Sequence, residues 1–270
     1  MYFSSCITNP NIIIKPLNEI IEKFIEYGFD GIDLPCNEQL FPLKSIKNIL
    51  ESYSNIKIPE ITAMISTSLD LIHPDEKMRM KAINYIKRCI DYAAELNVNL
   101  THMCFITFEE NLTRNTREKL EKIAISAIKN CALYAEKMNV KLLIEPLYKG
   151  DVSLINRCEQ AIELWCKALN IDESTFMNQN QFGLLQDIYH MHCEEIDLLS
   201  TIKKYNKITY HMHLADHLRG LDFTRPDSKF VKDAIKLLKH LNYSYYVSFE
   251  TFDKSVSFDT LKNSLKILKS

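Results

Sequence analysis

Apolar positions along this chain repeat with two different periods, and the two alternate. Short apolar runs occur at residues 3–6, 31–35, 58–66, 99–105, 140–145, 182–187, 208–214 and 245–250. Each is bounded by polar or turn residues and is of strand length. Between them the apolar residues fall three and four apart, as on one face of a helix. Leu17, Ile20, Ile21, Phe24 and Ile25 form one such stripe, opened by Pro16 and closed by Gly28 in the C′ position. Met78, Ala82, Tyr85, Ile86, Cys89, Ile90 and Ala93 form another. Its start is predicted at Pro74, with proline at the first helical position and Asp75 and Glu76 in the first turn. Leu120, Ile123, Ala124, Ala127, Ile128, Cys131, Ala135 and Met138 make a third stripe. Further helices are expected over 42–53, 154–169, 194–204, 228–241 and 258–268, with a longer loop over 67–73 and a polar insertion over 170–181.

Eight strand-helix alternations demand a parallel sheet with crossover helices. A (β/α)8 barrel takes about 250 residues, and this chain has 270. The pattern therefore predicts an α/β fold, a single TIM barrel occupying residues 1–270.

Composition narrows the partners. The net charge is -2 and no basic run stands out, which argues against a nucleic-acid or membrane surface. No apolar stretch approaches the roughly 18 residues of a membrane span, and residues 1–5 lack the pattern of a signal peptide. The 8 cysteines include no Cys-x-x-Cys pair, and several fall on apolar helix faces. Reduced thiols and a cytoplasmic protein are expected. With 5 glycines, the chain has little material for a Gly-rich phosphate cradle.

The candidate chemistry lies at four successive strand ends. Glu145 ends the fifth strand, Asp187 the sixth, His213 the seventh and Glu250 the eighth. In a β/α barrel, polar residues at the C-terminal strand ends converge on one face. Three carboxylates and one imidazole suit Mn2+, Mg2+ or Co2+ better than a structural zinc site. His211 shares a face with His213 and is read as a packed, hydrogen-bonded barrel histidine. Cys36 and Trp165 are assigned to core packing, and His102, His192 and His217 to structural or surface positions.

These residues resemble a known family, the sugar epimerase and isomerase barrels related to xylose isomerase. The resemblance is closest to ketose 3-epimerases of the D-tagatose and D-psicose 3-epimerase type. Glu145-Pro146-Leu147 is similar to the family's Glu-Pro-Leu strand end, with Leu154-Ile155-Asn156 and Glu159-Gln160-Ala161 following in order. Asp187 with His190, His211-x-His213 with Arg219 six residues on, and Glu250 on the last strand match the later motifs. Pro74-Asp75 and Ile90-Asp91-Tyr92-Ala93 resemble the family's third helix.

What the resemblance implies is one divalent metal per subunit, Mn2+ first with Co2+ or Mg2+ as alternatives, held by Glu145, Asp187, His213 and Glu250. Glu145 and Glu250 would move the C3 proton of a ketose, free or phosphorylated, off one face and back on the other. His190, Arg219 and Asp151 would bind the sugar. The family carries glutamate where Asp151 stands, six residues after the first metal carboxylate. A homodimer or homotetramer is also implied. Three rivals remain open: an aldose-ketose isomerase on the same site, an endonuclease IV-like phosphodiesterase, and a non-catalytic sugar binder. The phosphodiesterase needs histidines at the ends of strands three and four; strand three has none.

Overall fold

The two periods fold as their alternation demands. In this computed structural model the described residues are 1–64, 66, 68–106, 114–151 and 154–270, with backbone alone at Arg114, Asn115 and Asp151. Among them, parallel strands β1 (Tyr2–Cys6), β2 (Gly31–Pro35), β3 (Ile61–Thr62), β4 (Leu100–Met103), β5 (Lys141–Ile144), β6 (Phe182–Asp187), β7 (Thr209–Leu214) and β8 (Tyr246–Phe249) close into a barrel in chain order. Helices α1 (Leu17–Tyr27), α2 (Leu43–Glu51), α3 (Glu76–Glu95), α4 (Arg114–Met138), α5 (Cys158–Leu169), α6 (Glu173–Phe176), α7 (Ile188–Glu194), α8 (Leu198–Tyr205), α9 (Lys229–His240) and α10 (Phe258–Lys269) follow the strands. Among the described residues, no helix is long and apolar enough to cross a membrane.

Five of the helices end by one repeated device. Gly28 closes α1 in the left-handed region at φ 84°, and asparagines take the same role at Asn97, Asn139, Asn170 and Asn242. After each, the next amide reaches back five residues: Phe29 to Phe24, Val98 to Ala93, Val140 to Ala135, Ile171 to Cys166 and Tyr243 to Leu238. This is the Schellman closure, in which an αL residue lets the chain satisfy the last carbonyls. Asparagine tolerates αL better than other side chains, so a chain poor in glycine still turns sharply.

Several expected boundaries shift, each for a visible reason. The strand expected over 58–66 pairs only at Ile61–Thr62. Pro59 has no amide to donate, and the Met64 amide donates to the Tyr85 hydroxyl of α3, not to a strand; Ile65 lies outside the described residues. α3 begins two residues late because the Asp75 carboxylate caps it, accepting from the Lys77 amide at 2.8 Å. Pro74 therefore precedes the cap. The helix expected over 194–204 begins late, at Leu198, as α8, and α7 over Ile188–Glu194 is an additional helix before it. Asp187 caps α7 and Asp197 caps α8, with extended backbone at Glu195 between them. The polar insertion holds α6, whose buried Phe176 stacks on Trp165, itself fully buried.

Gly183 allows β6 to approach β7. A Cβ there would sit 2.2 Å from the Ile208 carbonyl oxygen, and the strand register shifts between Leu184 and Leu185 just beyond it. Inside the barrel, side chains two apart share a face. Leu100, Leu143, Leu185 and Tyr210 form an apolar cluster separate from the main core. One strand step beyond the three leucines stand His102, Glu145 and Asp187, so the barrel interior passes from apolar to ionisable towards the C-terminal strand ends.

Candidate metal centre

Glu145 and Glu250 lie one residue past β5 and β8, and main-chain pairing carries each of them into the mouth. The Glu145 amide donates to the Met103 carbonyl at 3.1 Å, and the Glu250 amide to the Leu214 carbonyl at 3.0 Å. Asp187 ends β6 and also caps α7: Oδ1 accepts from the Tyr189 amide at 2.7 Å, which leaves Oδ2 for the interior. His213 sits near the end of β7, paired with Asp187 across the ladder. All four are buried, and one donor atom from each lies within 4.8 Å of all the others. The sequence-predicted quartet is thus brought together.

Its electrostatics suit a cation. His213 Nδ1 lies 3.4 Å from Glu145 Oε1 and 3.6 Å from Glu250 Oε2. His213 Nδ1 and Glu145 Oε1 are both buried without a hydrogen-bond partner. Burial pushes the Asp187 carboxyl above its usual range, and the carboxylates of Glu250 and Glu145 push the same way. Burial would also raise Glu145 and Glu250, but the neighbouring cations outweigh it, His213 first, with His102 and His190 on Glu145 and Arg219 on Glu250: Glu145 is held down to about 2 and Glu250 below its ordinary value. Burial opposes charge on His213, yet Glu250 and Glu145 raise it well above the usual imidazole value. Orphaned donor atoms among crowded carboxylates fit a hard divalent cation held by three oxygens and one nitrogen.

A deeper layer, absent from the sequence reading, orients this quartet. Glu60 Oε1 lies 2.7 Å from His102 Nδ1, and Glu60 Oε2 lies 3.2 Å from His213 Nε2. One carboxylate therefore holds two imidazoles, and the other ring nitrogen of each faces Glu145: His102 Nε2 at 3.5 Å from Oε2, His213 Nδ1 at 3.4 Å from Oε1. A carboxylate behind an imidazole fixes which nitrogen presents its lone pair. Asp33 binds His211 Nε2 at 2.8 Å, so His211 is the hydrogen-bonded barrel histidine expected. His102 is buried inside the site and not on the surface. The readable signal was its spacing: His102 and Cys104 share the interior face of β4.

The other predicted residues sit at the rim. His190 Nδ1 accepts from the Tyr148 amide at 3.2 Å, and its Nε2 lies 3.5 Å from Asp187 Oδ2 and 3.2 Å from an Arg219 nitrogen. Arg219 is clamped between the rings of Tyr189 and Phe252, at 4.8 and 5.4 Å from their centroids. Its φ of 57° is the left-handed region, where a long side chain is strained and tends to mark a functional position. The Thr251 hydroxyl donates to its carbonyl at 2.6 Å and holds it there. The Asp151 side chain lies outside the described residues; its backbone ends a 3-10 turn after β5.

Comparison with known proteins identifies the family and the fold. Residues 21–270 match the family model described as xylose isomerase-like TIM barrel. A probable ketose 3-epimerase of Synechocystis sp. is 26% identical over 236 residues, which cover 84% of this chain and 75% of that protein. The crystal structure of the D-psicose 3-epimerase of Clostridium cellulolyticum H10, determined with D-tagatose, superposes with a TM-score of 0.81 at 16% identity, covering 100% of this chain and 98% of that one. The 3-keto-D-glucoside 4-epimerase of E. coli superposes with a TM-score of 0.78 at 18% identity, covering 100% and 99%. At these identities the two superpositions speak for the fold.

Proposed function

The chain belongs to the xylose isomerase-like TIM barrel family, and from that premise we propose that it is a metal-dependent epimerase inverting C3 of a ketose. The observation that carries this reading is the convergence of Glu145, Asp187, His213 and Glu250 within 4.8 Å at the ends of β5 to β8. Those four residues would hold the ion, Mn2+ first on the donor set. The ion supplies Lewis-acid stabilisation of negative charge on the substrate oxygens.

The rest follows from the chain's own residues. Inverting a carbon by deprotonation takes a proton acceptor on one face and a donor on the other. β5 and β8 stand three strands apart around the barrel, so Glu145 and Glu250 approach the mouth from different directions. Both are held in the ionised form, so either can accept the C3 proton. One glutamate takes it as the carboxylate, an enediolate forms on the sugar, and the other, once it has taken up a proton from solvent, returns that proton from the opposite face. His190 and Arg219 grip the sugar oxygens nearby, with Arg219 kept in place by Tyr189 and Phe252.

A neutral ketose is favoured over a phosphorylated one. Lys149 is paired with Glu194 at 3.1 Å and Arg225 with Asp227 at 3.0 Å. Among the described basic residues it is Arg219 that reaches the quartet, 3.8 Å from Glu250. The test is exchange in D2O with Mn2+ and a panel of free and phosphorylated ketoses, followed by NMR. Deuterium entering C3 with the C3 epimer appearing is the expected result. Exchange at C1 with an aldose product would move the assignment to an isomerase. No exchange on any sugar, with metal bound, would sink the chemistry.

A further inference from the structure

We propose that His102, Cys104 and Glu145 form a second cation position beside the first, sharing Glu145 and selective for a softer ion such as Zn2+ or Co2+. Donor atoms of these three residues lie within 4.8 Å of one another. Cys104 Sγ lies 3.2 Å from Glu145 Oε2 and His102 Nε2 lies 3.5 Å from the same oxygen. Metal-ligand bonds of about 2.0–2.3 Å in a tetrahedral shell put neighbouring donors about 3.3–3.7 Å apart. The apo spacing already approximates that shell, with the fourth place left for water or substrate.

Three features point to an ion and not only to packing. His102 Nδ1 is committed to Glu60, so Nε2 is the nitrogen turned towards Glu145. Carboxylate, imidazole and metal in line is the usual support for a histidine ligand. Secondly, Glu145 divides its two oxygens, with Oε1 towards His213 and Oε2 towards His102 and Cys104, as a carboxylate bridging two neighbouring ions would. Thirdly, Cys104 Sγ and His102 Nε2 approach the same oxygen, Glu145 Oε2, at 3.2 and 3.5 Å, so sulfur, nitrogen and oxygen donors converge on one point. The donor sets also differ. The first position offers three oxygens and a nitrogen; this one offers nitrogen, oxygen and sulfur, a set that prefers borderline ions to Mn2+ or Mg2+.

Binding converts the Cys104 thiol to a metal thiolate and releases one proton to the buffer. Without an ion the thiol stays protonated, because burial, and after it the Glu145 carboxylate, push it well above its usual value. On the proposed reaction, an ion here draws Oε2 of Glu145 away from proton transfer and acts as a brake. That consequence rests on the epimerase reading; the site does not.

The test is a titration of the metal-free full-length protein with Co2+, followed by near-ultraviolet absorption and without any sugar. Two equivalents should bind, and the second should bring the intense thiolate-to-cobalt charge-transfer band. Cys104→Ser keeps a hydrogen-bond donor to Glu145 but loses the soft ligand. It should bind one equivalent and show no band. A single equivalent without the band in the wild type, or a band that survives in Cys104→Ser, overturns the proposal. If the variant does not fold, alkylation of the wild type with iodoacetamide, mapped by mass spectrometry, decides instead. Co2+ should slow labelling at Cys104, and unchanged labelling there overturns it. Because the band is read without sugar, failure of the epimerase reading leaves this result standing.

Discussion

Glu60 accepts from His102 with one oxygen and approaches His213 Nε2 with the other. Replacing it by glutamine puts an amide N–H against one of these rings and forces that imidazole to change tautomer. Glu60→Gln should weaken Mn2+ binding by about 10- to 100-fold, the usual cost of losing a partner behind a metal-binding imidazole. Calorimetric titration reads it, and unchanged affinity would show that Glu60 only fills space. On the proposed reaction, Glu250→Gln removes a proton carrier and a donor to the ion together. Deuterium exchange at C3 should slow by at least ~10²–10⁴-fold, the usual share of acid-base catalysis. Glu250 could be named from the sequence because it ends an apolar strand run. Glu60 could not. It follows Pro59 ahead of a two-residue strand, and its role exists only once β4 and β7 face one another across the barrel.

At the scale of elements, helical stripes were legible because burial of one face recurs with the helical period, and α1, α3, α4, α9 and α10 lie where their stripes put them, whereas α5 begins at Cys158, four residues after its expected start. Element ends were less legible. β3 is cut short by a hydroxyl from α3, a contact between residues 21 apart in sequence. α8 starts at its Asp197 cap, four residues past the expected start at 194. The asparagine closures make a prediction here. Asn139 sits at φ 55° after α4, and the Val140 amide reaches the Ala135 carbonyl. An ordinary L-residue pays about 1–2 kcal/mol in this region, whereas glycine does not. Asn139→Ala should lower the melting temperature by roughly 2–4 °C per kcal/mol lost, and Asn139→Gly should melt at or above the wild type. Equal loss in both variants would mean that the asparagine side chain, and not its backbone conformation, holds the turn.

For the molecule as a whole, the convergence of the candidate quartet was legible because eight alternations imply a closed barrel, and closure makes the ends of β5 to β8 neighbours. The buried charge beneath it was not, since its members are single acids and histidines inside otherwise ordinary strands. That charge decides how stability depends on pH. In the metal-free chain His213 and His102 are raised by Glu250 and Glu60 against the opposing effect of burial. Their contribution is full below the unfolded imidazole value of about 6.5 and is lost as pH rises through the raised folded values. Glu60, Glu145 and Glu250 are lowered, so their contribution is present above the unfolded value of about 4.3 and is lost as pH falls through the folded ones. Asp187 is raised, so its ionisation costs stability as pH rises. A divalent ion takes the place of the His213 proton, and its affinity must grow as that proton leaves. Thermal melts with and without Mn2+ across the neutral and alkaline range should therefore diverge. The metal-free protein should soften with rising pH while the Mn2+-loaded protein holds, and the stabilisation should follow the binding constant. A difference between the two curves that stays flat with pH would mean that His213 keeps its proton and the ion is held by the carboxylates alone.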